Sequence, residues 1–587
     1  MEGLTFPRRI KHWGWGYEDA PETPPHLIRN FETYFSQFWG VNQFNTLPVP
    51  RLEDVKLRKP RLKIPEKLKA FCTDSHTERA RHALGRSFLD YVNIFEKNYR
   101  NPPDVVAFAR NERDVVDVMD WALKVNAAVI PFGGGTSVTG GVEPVVGGRY
   151  DAVITIDMTL MNKVLEIDEV SRSARIQAGA LGPDLEAQLR PRGYTLRHYP
   201  QSFQHSTLGG WLATHSGGHF ATLYTHIDPF CESMRVVTPS GVIETRRMPG
   251  EGAGPEPEQL FMGAEGSLGI ITEAWMQIQP RAHFRASIAV FFDNFLKGTE
   301  AVREIVQAGL WPSNLRIIDA EEARVNYVSD KNKHILFLGF ENDDHPVDAW
   351  MSRALDICAD HGGQFDRAVL KQPDSHRKAE QGRWRDIFLE TSFYREITTP
   401  REIIYGTMET SITWDKWPAL YNKVMDVTAR AMKEATGRDG SLSCRFVYVY
   451  PDGPAPYWSF YCLGRHGHLI EQWKHVKNAA TDEFLNFGGS TTHHTSIGRD
   501  HMKWLNRQTQ PLVRKALQAA KSALDPHWMM NPGVIIPPPD RGAKPAVATG
   551  AKAGPKKAAR KTTPRPARRA MSAKPAKRAG ARRKSRR

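Results

Sequence analysis

The segment Pro131-Phe132-Gly133-Gly134-Gly135-Thr136-Ser137 follows directly on a short apolar run, Ala127 to Pro131, that reads as a buried strand. Three consecutive glycines behind a strand leave the chain few options. Without Cβ atoms the backbone amides can converge on an anion, and Thr136 and Ser137 add hydroxyl donors. A pyrophosphate is the natural guest. The spacing is not a P-loop, since no Gly-Lys-Ser/Thr follows, and it is not the Rossmann GxGxxG. Alone, such a run is more often an ordinary turn, so the rest of the chain has to decide.

Around the loop the signals are those of an α+β fold rather than a repeated βαβ winding. Glu112 to Asn126 places Val115, Val118, Met119, Ala122 and Val125 at helical spacing, and Pro183 to Arg192 reads as a short helix. Asp151 to Asp157, Ser173 to Ala178, Met234 to Arg246 and Ile270 to Pro280 read as strands. From about Arg281 longer helical stretches such as Trp417 to Glu434 alternate with strands such as His334 to Phe340 and Cys444 to Tyr450. The expected organisation is a leader of weak periodicity over 1–100 that wraps the body, a first α+β domain over 101–281, and a second over 282–480. A segment over 481–539 returns to the first domain, and a tail follows over 540–587.

Charge points to the tail. The chain carries +15, but the 18 Lys and Arg from Arg541 onward, with no acidic residue among them, exceed that sum and leave residues 1–540 at −3. A Lys/Arg/Ala/Pro sequence cannot bury enough apolar surface to offset chain entropy, so the tail is expected to be disordered. It is either a solvated solubility tail or an arm for an anionic membrane or another polyanion. No run of 18 apolar residues and no secretory h-region occurs, and five scattered cysteines without a CxxC pair fit a reducing compartment. A cytoplasmic enzyme, peripheral to a membrane at most, is expected.

Two more glycine-rich segments follow the first in order. One runs Pro200-Gln201-Ser202-Phe203-Gln204-His205-Ser206 and on through Ala213-Thr214-His215-Ser216; the other contains Glu265-Gly266-Ser267-Leu268-Gly269-Ile270-Ile271. With Asn531-Pro532-Gly533 near the end, the set resembles the vanillyl-alcohol oxidase/PCMH family of FAD enzymes. The resemblance implies a two-subdomain PCMH-type FAD-binding domain and an α+β cap domain over the substrate. In that fold Pro131–Ser137 would hold the pyrophosphate, Pro200–Ser206 and Ala213–Ser216 would run along the flavin, and Glu265–Ile271 would close over the adenine side. No His stands in the Pro131–Ser137 loop, where some relatives attach flavin, so non-covalent FAD is expected.

Outside those loops, Lys11-His12-Trp13-Gly14-Trp15-Gly16-Tyr17, Leu315-Arg316-Ile317-Ile318-Asp319, Glu409-Thr410-Ser411 and Ser443-Cys444-Arg445 resemble the alkyldihydroxyacetonephosphate synthase subfamily, over about residues 8 to 536. The resemblance implies Arg395 and Arg316 as substrate-binding residues and Tyr457, His493 and His494 as catalytic ones. Thr495 stands where the subfamily has a third histidine. It also implies a lipid substrate, a homodimer, and exchange of the acyl chain of 1-acyl-dihydroxyacetone phosphate for a long-chain alcohol without net redox change. The residues alone say less. An Arg fork fits a phosphate bidentately but is more often a surface ion-pair partner. Tyr457 lies among aromatics that are mostly core, and its phenol accepts a proton only if a cation or the flavin lowers its pKa from about 10. His493 and His494 on a strand would point to opposite faces, and no carboxylate stands at ligand spacing, so no metal is expected. The competing reading is an FAD-dependent oxidase or dehydrogenase of a 2-hydroxy acid such as D-lactate or glycolate. Such relatives usually carry Glu-His-Gly-Ile-Gly where this chain has His493-His494-Thr495-Ser496-Ile497-Gly498.

Overall fold

Ala127–Phe132 forms a strand, as its apolar run predicts, in a four-stranded sheet. It pairs in parallel with Ala152–Asp157, which pairs in parallel with Val105–Phe108; Cys72–Thr73 adds an antiparallel edge. These strands are buried almost throughout because both faces are covered, the usual condition of parallel strands. The helix Glu112–Lys124 covers one face with Val115, Val118, Met119 and Ala122, and starts where the Asn111 side chain accepts the Asp114 amide at 3.0 Å. On the far edge of Ala127–Phe132 the near-terminal chain comes back: Val129 N–H donates to Met529 O at 2.8 Å and Asn531 N–H to Val129 O at 2.9 Å. The structure is a computed structural model and describes residues 9–19, 23–371 and 379–539; the expected basic tail lies outside the described residues.

A second, antiparallel sheet runs Val164–Asp168, Ser173–Gln177, Ile270–Gln277, Cys231–Thr238, Gly241–Glu244. The third has six antiparallel strands in the order Phe284–Phe292, His334–Asn342, Asn314–Ile318, Ser441–Val449, Pro454–Leu463, Ile403–Glu409. Alternation along its strands decides what each face does. Ile317, Phe446, Trp458, Ile404 and Met408 point to one side and pack against helices Phe295–Gln307, Asp348–Asp360, Trp417–Thr436 and Leu469–Asn486. The intervening residues Arg316, Arg445, Tyr457 and Tyr405 fall on the other side, where they line a cavity.

The N-terminal segment is more ordered than its expected weak periodicity. Pro25–Trp39 is a helix that buries Leu27, Phe31, Phe35 and Trp39, one residue every fourth position, and ends on Gly40 at φ +64°. Those side chains pack on Tyr394, Tyr405 and Tyr461. Burying one such side chain stabilises by roughly 1.5–3 kcal/mol. Richness in Pro and basic residues hid this spacing. Among the described residues no helix is long and apolar enough to cross a membrane.

Candidate active site

The glycine loop opens into the cavity. Among the described residues no protein acceptor takes the backbone amides of Gly134, Gly135, Thr136 or Ser137, although Gly133–Ser137 line the cavity wall. Unpaired amides in a concave wall are the makings of an anion cradle. The reason for the glycines differs from the one expected. A Cβ on Gly134 would collide not with the guest but with the backbone carbonyl of His205, and one on Gly133 would meet the Thr207 hydroxyl. Gly135 sits at φ +67° against the Phe132 ring. The first and second loops are pressed together, and only glycine lets them approach.

The remaining loops are tied behind the cradle. The Glu265 carboxylate accepts from Ile497 N–H at 2.7 Å and Gly498 N–H at 2.9 Å, and Asn531 Nδ2 donates to Gly141 O at 3.0 Å and Glu265 O at 2.7 Å. Burial pushes the Glu265 carboxyl up to about 7, against those two amides. Glu265, Ser496 and Asn531 take positive φ of 48°, 72° and 34°, which the hydrogen-bonded knot over-determines. The apolar slot there is lined by Pro131, Phe132, Ala213, Gly266, Leu268, Gly269, Ile270 and Ile271. It continues through Gly133, Ser137, Thr207, Gly210 and Thr214 into the larger cavity, which encloses about 1360 Å³ with its mouth included.

Of the expected cofactor residues, Pro200, Gln201, Ser202, Ser206 and Ser216 also line the larger cavity. Phe203, Gln204, His205, His215 and Ser267 do not line either space. Phe203 stacks with Trp211, the Gln204 carbonyl accepts from Tyr17, and His205 packs on Trp15 and Tyr17. His215 Nδ1 pairs with Asp228 at 2.6 Å, and the Ser267 carbonyl receives Lys521. These residues support the loops from behind.

The opposite wall belongs to the six-stranded sheet. Arg316 is 1% exposed and makes one long hydrogen bond, to His219 O at 3.4 Å. Its Nε and Nη1 have no partner, and among the described residues it forms no ion pair. Burial lowers its pKa to about 10, so it stays charged at neutral pH. A buried guanidinium without a carboxylate awaits an anion. Arg395, half-buried on the helix Tyr394–Thr398, donates to Arg86 O at 3.2 Å and leaves Nε unpaired. The leader fixes that helix: Glu396 accepts Trp15 N–H at 3.1 Å, and Arg86 donates to Gly14 O at 3.0 Å and Lys11 O at 2.8 Å. Trp15 itself reaches the cavity.

Tyr457 lines the same cavity, with the Arg445 guanidinium 4.1 Å over its ring. Arg445, unassigned by sequence reasoning, is paired with Glu322. A phenol that accepts a proton would need its pKa lowered by a cation or the flavin, and the nearby cations do not achieve this. Burial pushes the Tyr457 phenol up, and Arg445 and Arg395 only partly oppose it. At neutral pH it is a proton donor rather than a phenolate.

His493 and His494 occupy a bend, not a strand. They nevertheless part: His494 lines the cavity, while His493 packs on His226 and bonds Tyr450 Oη at 3.1 Å. Burial holds His493 well below the usual imidazole range. No carboxylate stands at ligand spacing from them along the chain, yet Glu409 comes from the third sheet to meet His494.

The FAD binding domain family matches residues 103–246, and the C-terminal domain of FAD linked oxidases matches residues 281–535. The chain is 28% identical over 524 residues to the alkyldihydroxyacetonephosphate synthase of Dictyostelium discoideum, covering 84% of each. It is 31% identical over 467 residues to an FAD-linked oxidoreductase of Mycobacterium tuberculosis, covering 76% of this chain and 94% of that one. A solved alkyldihydroxyacetonephosphate synthase structure matches with a TM-score of 0.72 at 25% identity, over 89% of this chain and 98% of that one. The chain therefore belongs to the family of FAD-linked oxidases with the PCMH-type FAD-binding fold, as an FAD-dependent enzyme similar in sequence and fold to the alkyldihydroxyacetonephosphate synthases.

Proposed function

We propose that this enzyme exchanges the acyl chain of 1-acyl-dihydroxyacetone phosphate for a long-chain alcohol, with FAD bound non-covalently. The observation that carries the reading is Arg316, a buried and unpaired guanidinium in the cavity that also holds the glycine loop and Tyr457. The residues fit FAD: free amides at 134–137 suit its pyrophosphate, and the apolar slot past Gly266 suits its adenine end. Loop 131–137 offers no His or Cys for attachment. When bound, FAD supplies an electrophilic centre at which a three-carbon unit can change partners without net redox change.

The chain's own residues do the rest. Arg316 takes the substrate phosphate, with Arg395 as a second donor on the same wall. Tyr457, held protonated by burial, donates towards the developing charge at the carbonyl. The leader's Trp15 helps to exclude water from the site. The test is direct. Purified enzyme is given acyl-dihydroxyacetone phosphate with labelled hexadecanol, and in parallel a panel of 2-hydroxy acids with a dye acceptor. Labelled ether product is expected; dye reduction by a hydroxy acid without ether product would replace this reading. Acid precipitation should release all the yellow colour into solution.

A further inference from the structure

Glu409 ends the strand Ile403–Glu409, directly across the ladder from Tyr457, and is 4% exposed. Its phase along the strand, shared with Tyr405 and Thr407, puts it on the cavity face. One carboxylate oxygen, Oε1, accepts from the amides of His493 at 3.3 Å, His494 at 3.0 Å and Thr495 at 2.7 Å. It also accepts from the Thr492 hydroxyl at 2.6 Å and from that of Thr495. Three successive amides on one oxygen wrap the turn 493–495 around a fixed negative charge. The other oxygen, Oε2, meets Nδ1 of His494.

An ionised carboxylate accepts and cannot donate, so where Oε2 and Nδ1 meet a proton can lie only on the imidazole; Nδ1 has a second neighbour, His493 Nδ1, at 3.4 Å. That Glu409 is ionised follows from its geometry: three amides and two hydroxyls all donate to Oε1, a set that stabilises the carboxylate. With Nδ1 so occupied, the second nitrogen of His494, Nε2, makes no hydrogen bond among the described residues. The ring stands 6.0 Å from the Tyr457 ring at 28°.

We infer that Glu409 is the positioning residue of this site, holding His494 with its proton on Nδ1 so that Nε2 works as the base for the incoming alcohol. This rests on the acyl-exchange reading. As the new carbon–oxygen bond forms, the alcohol O–H bond breaks and its proton passes to Nε2. The acyl chain leaves as a carboxylate, too weak a base to hold that proton at neutral pH, so the proton passes from Nε2 to solvent and the exchange releases one. Thr495, whose hydroxyl is bound to Glu409, is part of the support and lines the cavity beside His494.

The substitution Glu409→Gln is suited to the test, because its amide oxygen can still accept the turn while its NH₂ reverses the proton on His494. In the flavin-loaded enzyme kcat should fall at least ~10²-fold, with KM changed less than about threefold and the flavin spectrum intact. Histidine ¹⁵N NMR of the wild-type holoenzyme should show His494 protonated on Nδ1, with the signal identified by its loss in His494→Gln. A folded Glu409→Gln enzyme with wild-type kcat overturns the inference, as does a wild-type His494 protonated only on Nε2. Glu409, His493 and His494 bring three possible ligand atoms within 4.8 Å, so a stoichiometric divalent metal in the holoenzyme would overturn it too. If Glu409→Gln fails to fold, the NMR result on the wild type decides alone. Failure of the wild type to make ether product removes the proposed function, and the Nδ1 proton still reports on Glu409.

Discussion

At the loop end of the cavity the wall is backbone, and its side chains point away to tie the loops together. Amides 134–137 face the guest while Glu265 and Asn531 hold the knot behind. At the sheet end the wall is side chains, Arg316, Arg445 and Tyr457, carried by a rigid six-stranded scaffold. One end suits a partner that stays and the other a partner that comes and goes. The backbone cradle depends on a few glycines and is indifferent to most other changes. The sheet end keeps a buried cation unsatisfied, a state worth retaining only if an anion regularly relieves it. Cofactor identity is thus written in loop geometry, and substrate identity in the side chains of one sheet face.

The contrast can be broken most sharply at Gly134. Because the clash is with the His205 carbonyl, even Gly134→Ala should purify colourless, and Gly134→Val certainly so. Full visible absorbance per protein in the alanine variant would show that the two loops are not locked together. Next in size, Arg316→Met should cut kcat/KM on the order of 10³-fold while raising Tm, since it removes a buried unpaired charge. Kinetics and a thermal melt read both; a lowered Tm would mean that Arg316 serves the fold. Tyr457→Phe should lower kcat on the order of 10²-fold and leave the flavin spectrum unchanged, because the hydroxyl has no role in the cradle. The smallest effect is expected from truncation after Pro539, which should leave kcat on a soluble substrate unaltered and weaken only salt-sensitive binding to anionic vesicles.

The two ends also differed in how far they could be read from the chain. The cradle was legible because its parts are local: an apolar strand, three glycines and two hydroxyl residues in one continuous segment. What those glycines avoid was not, because His205 and Thr207 belong to another loop. The sheet end was legible only through resemblance. Glu409 reaches Tyr457 and His494 through strand register and a distant bend, and no spacing in the sequence encodes either meeting. The direction of the Tyr457 shift likewise depends on burial and on Arg445 and Arg395, which are distant in sequence. The helix Pro25–Trp39 was among the local features overlooked, its four-residue spacing masked by the composition around it.

The return of the final segment has a consequence for how the enzyme is made. Val129 is flanked by Met529 and Asn531, and Asn531 clamps Gly141 and Glu265, so the loops that would cradle the cofactor are tied in part by residues far along the chain. A chain still short of Asn531 has its glycine loops but lacks this clamp. Closure of the cradle therefore waits on the return of residues 529–531, and a flavin that binds only the closed form pulls that stage of folding to completion.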